Sequence, residues 1–191
     1  MCVIALSVCS CASKKATGEG VEIELNRVEK LQLEKPSLRM VGSGQHFNES
    51  TARNVAELQA RGQFVRAISA RITPATKAQA GSIGLYGGND TKGQSVSDQS
   101  DAVNDFVSSV AQEIVKNAGV IDYIKFKLPN NQYKIYVCLE YQAGGISEMA
   151  NEIAKTFEQK IPEDQKLKVK FEFDRYKKEV EEDLKSYKEE R

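Results

Sequence analysis

The sequence predicts an α+β fold, a small antiparallel sheet of about three strands packed against helices, with a C-terminal helical tail. Three stretches carry this prediction. Between Ile124 and Tyr141, apolar and polar residues alternate on both sides of a Pro129-Asn130-Asn131-Gln132 turn. Leu38–Ile72 joins a short apolar run to a long amphipathic helix through Gly42-Ser43-Gly44. The charge-dense tail from Glu163 carries Phe173, Tyr176, Val180, Leu184 and Tyr187 at helical spacing.

In the hairpin, Ile124, Phe126 and Leu128 face one way and Lys125 and Lys127 the other. Tyr133, Ile135, Val137, Leu139 and Tyr141 resume the alternation. A period of two with one apolar face is the pattern of strands that are buried on one side and wet on the other.

Ahead of it, Val21, Ile23 and Leu25 alternate with glutamates and permit a short strand, while Asn26–Lys35 shows no sustained period before Pro36. Leu38–Val41 reads as a strand ended by a turn at Gly42 and Gly44, residues that accept positive φ. Asn48 is a suitable N-cap for the helix that follows, with Glu49 in its first turn. Val55, Leu58, Gly62, Val65, Ile68 and Ile72 form its expected apolar stripe, Ala52, Ala56 and Ala60 add small surfaces, and Pro74 marks its expected end. Glu49 with Arg53 and Glu57 with Arg61 are expected i,i+4 pairs.

Residues Gly81 to Ser100 hold five glycines and read as a long loop. Asp98 or Ser100 would then cap a helix with the stripe Val103, Phe106, Val107, Val110, Ile114 and Val115, closed by Gly119. Gly144-Gly145 precedes another helix, built on Ile146, Met149, Ile153, Ala154 and Phe157 and interrupted at Pro162. The tail helix, 163–190, is expected to lie on the domain with a solvated charged face.

Composition limits the function. The chain has 191 residues, 40% of them hydrophobic, with 27 basic and 27 acidic side chains. This length suits one domain, here 21–191, and the balanced charge supplies no global field for nucleic acid or anionic surfaces. One histidine and four cysteines, two of them separated by a single residue, leave no set for structural zinc, so neither metal nor cofactor is expected.

Cys2, Cys9 and Cys11 crowd the first eleven positions, after which only Cys138 occurs. Met1–Val8 is apolar and too short to span a bilayer. The run Val8-Cys9-Ser10-Cys11 looks like a lipobox: an aliphatic residue at minus three and a small one at minus one precede Cys11. Cys9 fits less well, because Val8 would then occupy minus one. No Lys or Arg precedes Lys14, so the basic start of a secretory signal is missing. Residues 1–11 are therefore expected to be a lipoprotein signal segment and 12–20 a flexible tether. The plain alternative is a buried N-terminal strand with incidental cysteines.

Other motifs fall short of their patterns. Gly42-Ser43-Gly44-Gln45-His46-Phe47 places Phe47 where the third glycine of a dinucleotide fingerprint belongs. Ser43 lacks the nucleophile elbow of hydrolases, and Gly88–Gly93 matches neither a phosphate loop nor a calcium loop. Tyr123, Tyr133, Tyr136 and Tyr141 with Lys125, Lys127 and Lys134 could resemble an RNA-binding sheet, but neutral charge and the expected envelope location oppose nucleic acid.

Val41-Gly42-Ser43-Gly44, followed by Ala52-Arg53, Ala56, Arg61 and Ala67-Ile68-Ser69, with Tyr136-Val137-Cys138-Leu139-Glu140-Tyr141 in the hairpin, resembles the Lpp-twenty lipoprotein family of bacterial cell envelopes. The resemblance covers about Leu38 to Phe157 and departs at the glycine-rich insert. It implies an outer-membrane-associated lipoprotein with a compact α+β domain and no catalytic residues, linked in some members to surface or motility structures. With the lipobox, the expected acylation (palmitate) falls on Cys11, and other envelope proteins are the expected partners. The alternative is an envelope hydrolase or small-ligand binder using the Ser43 to His46 turn and the glycine-rich loop 81–95.

Overall fold

The computed structural model describes residues 24–79, 96–161 and 173–186. Its elements run α1 (Arg27–Glu34), β1 (Arg39–His46), α2 (Glu49–Gln79), α3 (Val96–Lys116), β2 (Ala118–Lys127), β3 (Tyr133–Tyr141), α4 (Ile146–Lys160) and α5 (Phe173–Ser186). The strands form one antiparallel sheet in the order β1-β3-β2, so the class is α+β as the sequence predicts.

Helix α1 is a departure from that prediction. Asn26 Oδ1 accepts from the Val28 and Glu29 N–H groups at 2.9 and 3.0 Å, and Glu29 Oε2 accepts from the Asn26 N–H at 2.8 Å. This reciprocal cap satisfies amides that would otherwise be orphaned, and it stabilises a short helix whose apolar spacing is weak. Leu25 lies ahead of it outside any strand, and Val21 and Ile23 lie outside the described residues.

β1 continues through the glycines, so no turn forms at Gly42 or Gly44. Gly42 pairs with Val137 and Gly44 with Ile135 of the central strand. The glycines serve proximity instead. A Cβ on Gly42 would meet the Ala56 carbonyl oxygen and the Ala60 nitrogen at 2.3 Å each, and one on Gly44 would meet the Ala52 oxygen at 2.1 Å. Main chain of strand and main chain of α2 are in direct contact, a separation that only glycine facing alanine permits.

This contact decides which face of α2 is buried. Ala52, Ala56, Ala60, Phe64, Ile68 and Ile72 form an unbroken i,i+4 ridge at 1% exposure or less, whereas Val55 and Leu58 are 43% and 69% exposed. The expected stripe is therefore corrected in its first half and kept at Ile68 and Ile72. Each step of four residues advances about 40° around a helix of 3.6 residues per turn, so the ridge winds from the sheet towards the other helices. The predicted ion pairs also shift partners: Arg53 meets Glu57 at 3.1 Å, Glu49 meets Lys125 at 2.8 Å, and Arg61 donates to the Val115 carbonyl near the end of α3 at 2.9 Å. Asn48 caps α2 as expected, its side-chain oxygen accepting from the Thr51 N–H at 3.1 Å.

Pro74 does not end α2. The helix runs on to Gln79, with Thr73 Oγ1 donating to the Ser69 carbonyl at 2.6 Å just before the proline. Burial of Ala75 and Thr76, and the 3.0 Å hydrogen bond between Thr76 Oγ1 and the Tyr176 hydroxyl of α5, outweigh the local penalty of proline. Helix α3 begins at Val96, earlier than expected, and ends at Lys116; Gly119 is paired in β2 and does not close the helix.

The hairpin turn forms where predicted. The Asn131 N–H donates to the Leu128 carbonyl at 3.0 Å, and Asn131 takes φ 61°, a conformation asparagine tolerates better than most residues. Gly144, at φ 139°, permits the chain reversal into α4.

On one face of the sheet, Ile135, Val137, Leu139 and Tyr141 join α2–α5 in a single core. Phe106, Phe157 and Tyr176 stack in sequence across α3, α4 and α5, with ring centroids 5.0 and 4.3 Å apart. Tyr176, Val180 and Leu184 are buried, so the tail helix lies on the domain. On the opposite face α1 covers a smaller cluster of Val28, Val41 and Cys138.

Candidate functional site

Cys9, Cys11 and the glycine-rich loop 81–95 lie outside the described residues, as do the signal segment and tether. The predicted positions that are described do not converge. Ser43 and His46 are three apart on one strand, and since side chains alternate, they face opposite sides of the sheet. The expected Ser43 to His46 turn is thus replaced by extended chain. His46 Nδ1 accepts from the Asn48 N–H at 3.0 Å, and Ser43 Oγ lies 3.3 Å from Gln59 Oε1. Neither group activates the other.

Cys138 is fully buried, and burial pushes its thiol up to about 11. A thiol held there is protonated at neutral pH and packs as an apolar residue.

Two clefts border β1. A largely apolar one of about 430 Å³ lies between the α1–β1 connection and the ends of α4 and α5, lined in part by Pro36, Leu38, Ile146 and Lys185. Beside it, Arg39 Nε meets Glu140 at 2.8 Å, Lys35 meets the same carboxylate at 2.7 Å, and Arg39 Nη1 donates to the Leu31 carbonyl at 2.9 Å. Burial works to raise the Glu140 carboxyl, but the hydrogen bonds from Lys35 and Arg39 outweigh it and hold the group below the usual range. This cluster ties the end of α1 to the sheet. The second cleft, about 260 Å³ and polar, lies along the β1 edge between Ser43, Gln32, Gln63 and Tyr136. Gln59 Oε1 reaches the Ser43 N–H there at 2.6 Å, closing a donor of the edge strand.

At the other side of the core, Glu152 of α4 accepts from the Tyr141 hydroxyl and from the Asn117 amide. Burial and the Glu152 carboxylate together drive the Tyr141 hydroxyl well above its ordinary value, so it stays a donor. The pair joins the end of β3 to the α3–β2 junction.

The hairpin end concentrates another chemistry. Cross-strand pairing aligns Gln45, Lys134 and Phe126 in one row and His46, Tyr133 and Lys127 in the next. The Lys134 ammonium stands 5.1 Å from the Tyr136 ring centre, and Lys127 stands 5.8 Å from that of Tyr133. Phe126 meets Tyr136 edge to face at 6.2 Å and remains 43% exposed, while Phe47, which follows β1 at the same end, is 64% exposed. Of the four tyrosines singled out in the sequence only Tyr141 is buried in the core. The signal for this surface was present: Tyr123 to Leu139 holds three lysines and no acidic residue.

Among the described residues no group of three or more His, Cys, Asp or Glu is placed to hold a metal ion, and no helix is long and apolar enough to cross a membrane. No family model, curated protein or solved structure matches the chain. What the described residues define is the class, an α+β domain with an antiparallel three-stranded sheet between a short helix and a helical layer.

Proposed function

We propose that the protein is a lipid-anchored protein of the bacterial cell envelope, of the kind represented by the Lpp-twenty-like lipoproteins, and that it acts through contacts with other envelope components. The observation that carries this reading is the run Val8-Cys9-Ser10-Cys11 followed by the small, polar stretch Ala12–Gly20. Acylation at Cys11 would supply more than one chain, enough for stable attachment where a single chain holds only marginally. A contact role is supported by the structural employment of the residues best suited to chemistry: His46 caps a backbone amide, Ser43 lies against Gln59, and Cys138 is buried. The alternative of an envelope hydrolase loses its Ser43 and His46 pairing, which strand geometry separates.

Substitution Cys11→Ala tests the anchor. Cells fed a labelled fatty acid are expected to label the parent chain and not the variant, and the variant is expected to leave the membrane fraction. Equal labelling and unchanged membrane partition of the two would overturn the proposal.

A further inference from the structure

We infer that the hairpin end of the sheet is a docking surface for anionic phospholipid headgroups. The inference goes beyond the lipid anchor and does not depend on it, because it rests on residues of the folded domain.

Charge segregation is the first support. The chain as a whole is neutral, yet Lys125, Lys127 and Lys134 gather on one hairpin. Glu49 compensates Lys125 at 2.8 Å. Among the described residues neither Lys127 nor Lys134 is salt-bridged to a carboxylate, and each stands beside a tyrosine ring at the same end of the sheet, Lys127 on one face and Lys134 on the other, so the positive charge flanks the hairpin tip. A local positive surface of this kind attracts a negatively charged bilayer within about one Debye length, roughly 8 Å at physiological salt.

Apolar residues at the same place are the second. Phe126 and Phe47 project at 43% and 64% exposure at this end of the sheet. Phe126 shares the face of its cross-strand partner Lys134, whereas Lys125 and Lys127 lie on the other face, so a bilayer is met end-on by the hairpin tip. Large apolar side chains flanked by basic groups combine insertion at the headgroup boundary with attraction to phosphate. Single-stranded nucleic acid is the competing polyanion. It needs a positively charged groove along one face that tracks the backbone, with aromatic rings beside it. Here the two uncompensated lysines lie on opposite faces of the hairpin, so neither face offers such a groove, whereas both reach a planar bilayer from the tip.

The test uses the full chain carrying Cys11→Ser, so that no acyl group is attached, and flotation with vesicles. Binding is expected to vesicles containing phosphatidylglycerol and phosphatidylcholine in equal parts, to fall with added salt, and to be weak on phosphatidylcholine alone. Lys127→Gln with Lys134→Gln should reduce partition about thirtyfold, from roughly one lysine's worth of surface attraction at each position. Phe126→Ser should weaken the binding that survives high salt. Circular dichroism of the variants confirms that the fold is kept. Equal binding to both vesicle types, absence of binding, or parent-like binding by the double lysine variant would overturn the inference. So would tighter binding to a single-stranded RNA oligonucleotide than to the anionic vesicles. Failure of the Cys11→Ala labelling experiment would leave these outcomes unaffected, so the two proposals fail separately.

Discussion

Replacing Gly42 by Ala adds a single methyl group, and its cost can be worked from the contact it would make. The new carbon would sit 2.3 Å from both the Ala56 oxygen and the Ala60 nitrogen, main-chain atoms that no rotamer change can move. Ordinary contact at this position is about 3.4 Å, so α2 must retreat by about 1 Å along its interface with β1, which loosens the close-packed ridge behind it. Overpacking of this kind costs typically 1–3 kcal/mol, and a clash against backbone belongs at or above the upper end, about 3 kcal/mol. For a protein of this size that lowers the melting temperature by about 6–12 °C. Gly62→Ala is the matched control. Its Cβ would meet only an Arg66 guanidinium nitrogen at 3.7 Å, and alanine in a helix interior is favoured over glycine by about 1 kcal/mol. The two substitutions are chemically identical and should shift thermal unfolding, followed by circular dichroism, in opposite directions. A Gly42→Ala protein that melts within a degree of the parent would refute the argument that main-chain proximity fixes this interface.

Two further outcomes follow from the packing and charge of the domain. Leu58→Lys should change stability by less than about 0.5 kcal/mol because the side chain is 69% exposed, whereas Phe64→Ala, at 1% exposure, should cost about 3–5 kcal/mol in urea unfolding; a reversed order would return the core stripe of α2 to the face carrying Val55 and Leu58. Glu140→Gln should cost about 1–2 kcal/mol at pH 7. The folded-state value of this carboxyl is depressed, so its contribution is present above the unfolded value, about 4.3, and is lost as pH falls through the lower folded value. The gap between variant and parent should therefore close in acid, and a gap of constant size from pH 7 to pH 3 would exclude the ionic origin.

Much of the fold was legible because burial on one face imposes a period. The second strand of the hairpin, the stripe of α3 and that of α4 each place large apolar residues at positions the structure buries. The first strand does not: Phe126 is 43% exposed and Ile124 pairs with Tyr136, on the face opposite the main core. The stripe on α2 misled for a physical reason: Val55 and Leu58 are bulkier than alanine, but the partner is a glycine strand, and only a side chain as small as alanine fits between the two backbones. Reading Gly42 and Gly44 as conformationally special, when they are sterically special, is the same error seen from the strand. Pro74 was overruled by tertiary contacts that no local window contains, among them the hydrogen bond from Thr76 to Tyr176, a hundred positions away. The α1 cap, by contrast, is visible as Asn26 with Glu29 three residues on, although the helix it starts has no apolar period to announce it. At the candidate docking surface, whole-chain neutrality concealed a local excess of lysine.

The glycine and alanine seam also has a mechanical meaning. Side chains with several rotamers give an interface slack, since a helix can slide while they readjust. Here β1 and the first turns of α2 touch through backbone and methyl groups, which have no rotamers to exchange. Helix α2 has 31 residues and is about 46 Å long at 1.5 Å per residue. A displacement applied to the helix ahead of Pro74 would therefore reach the sheet as rigid motion, making this part of α2 a lever fixed at Gly42 and Gly44.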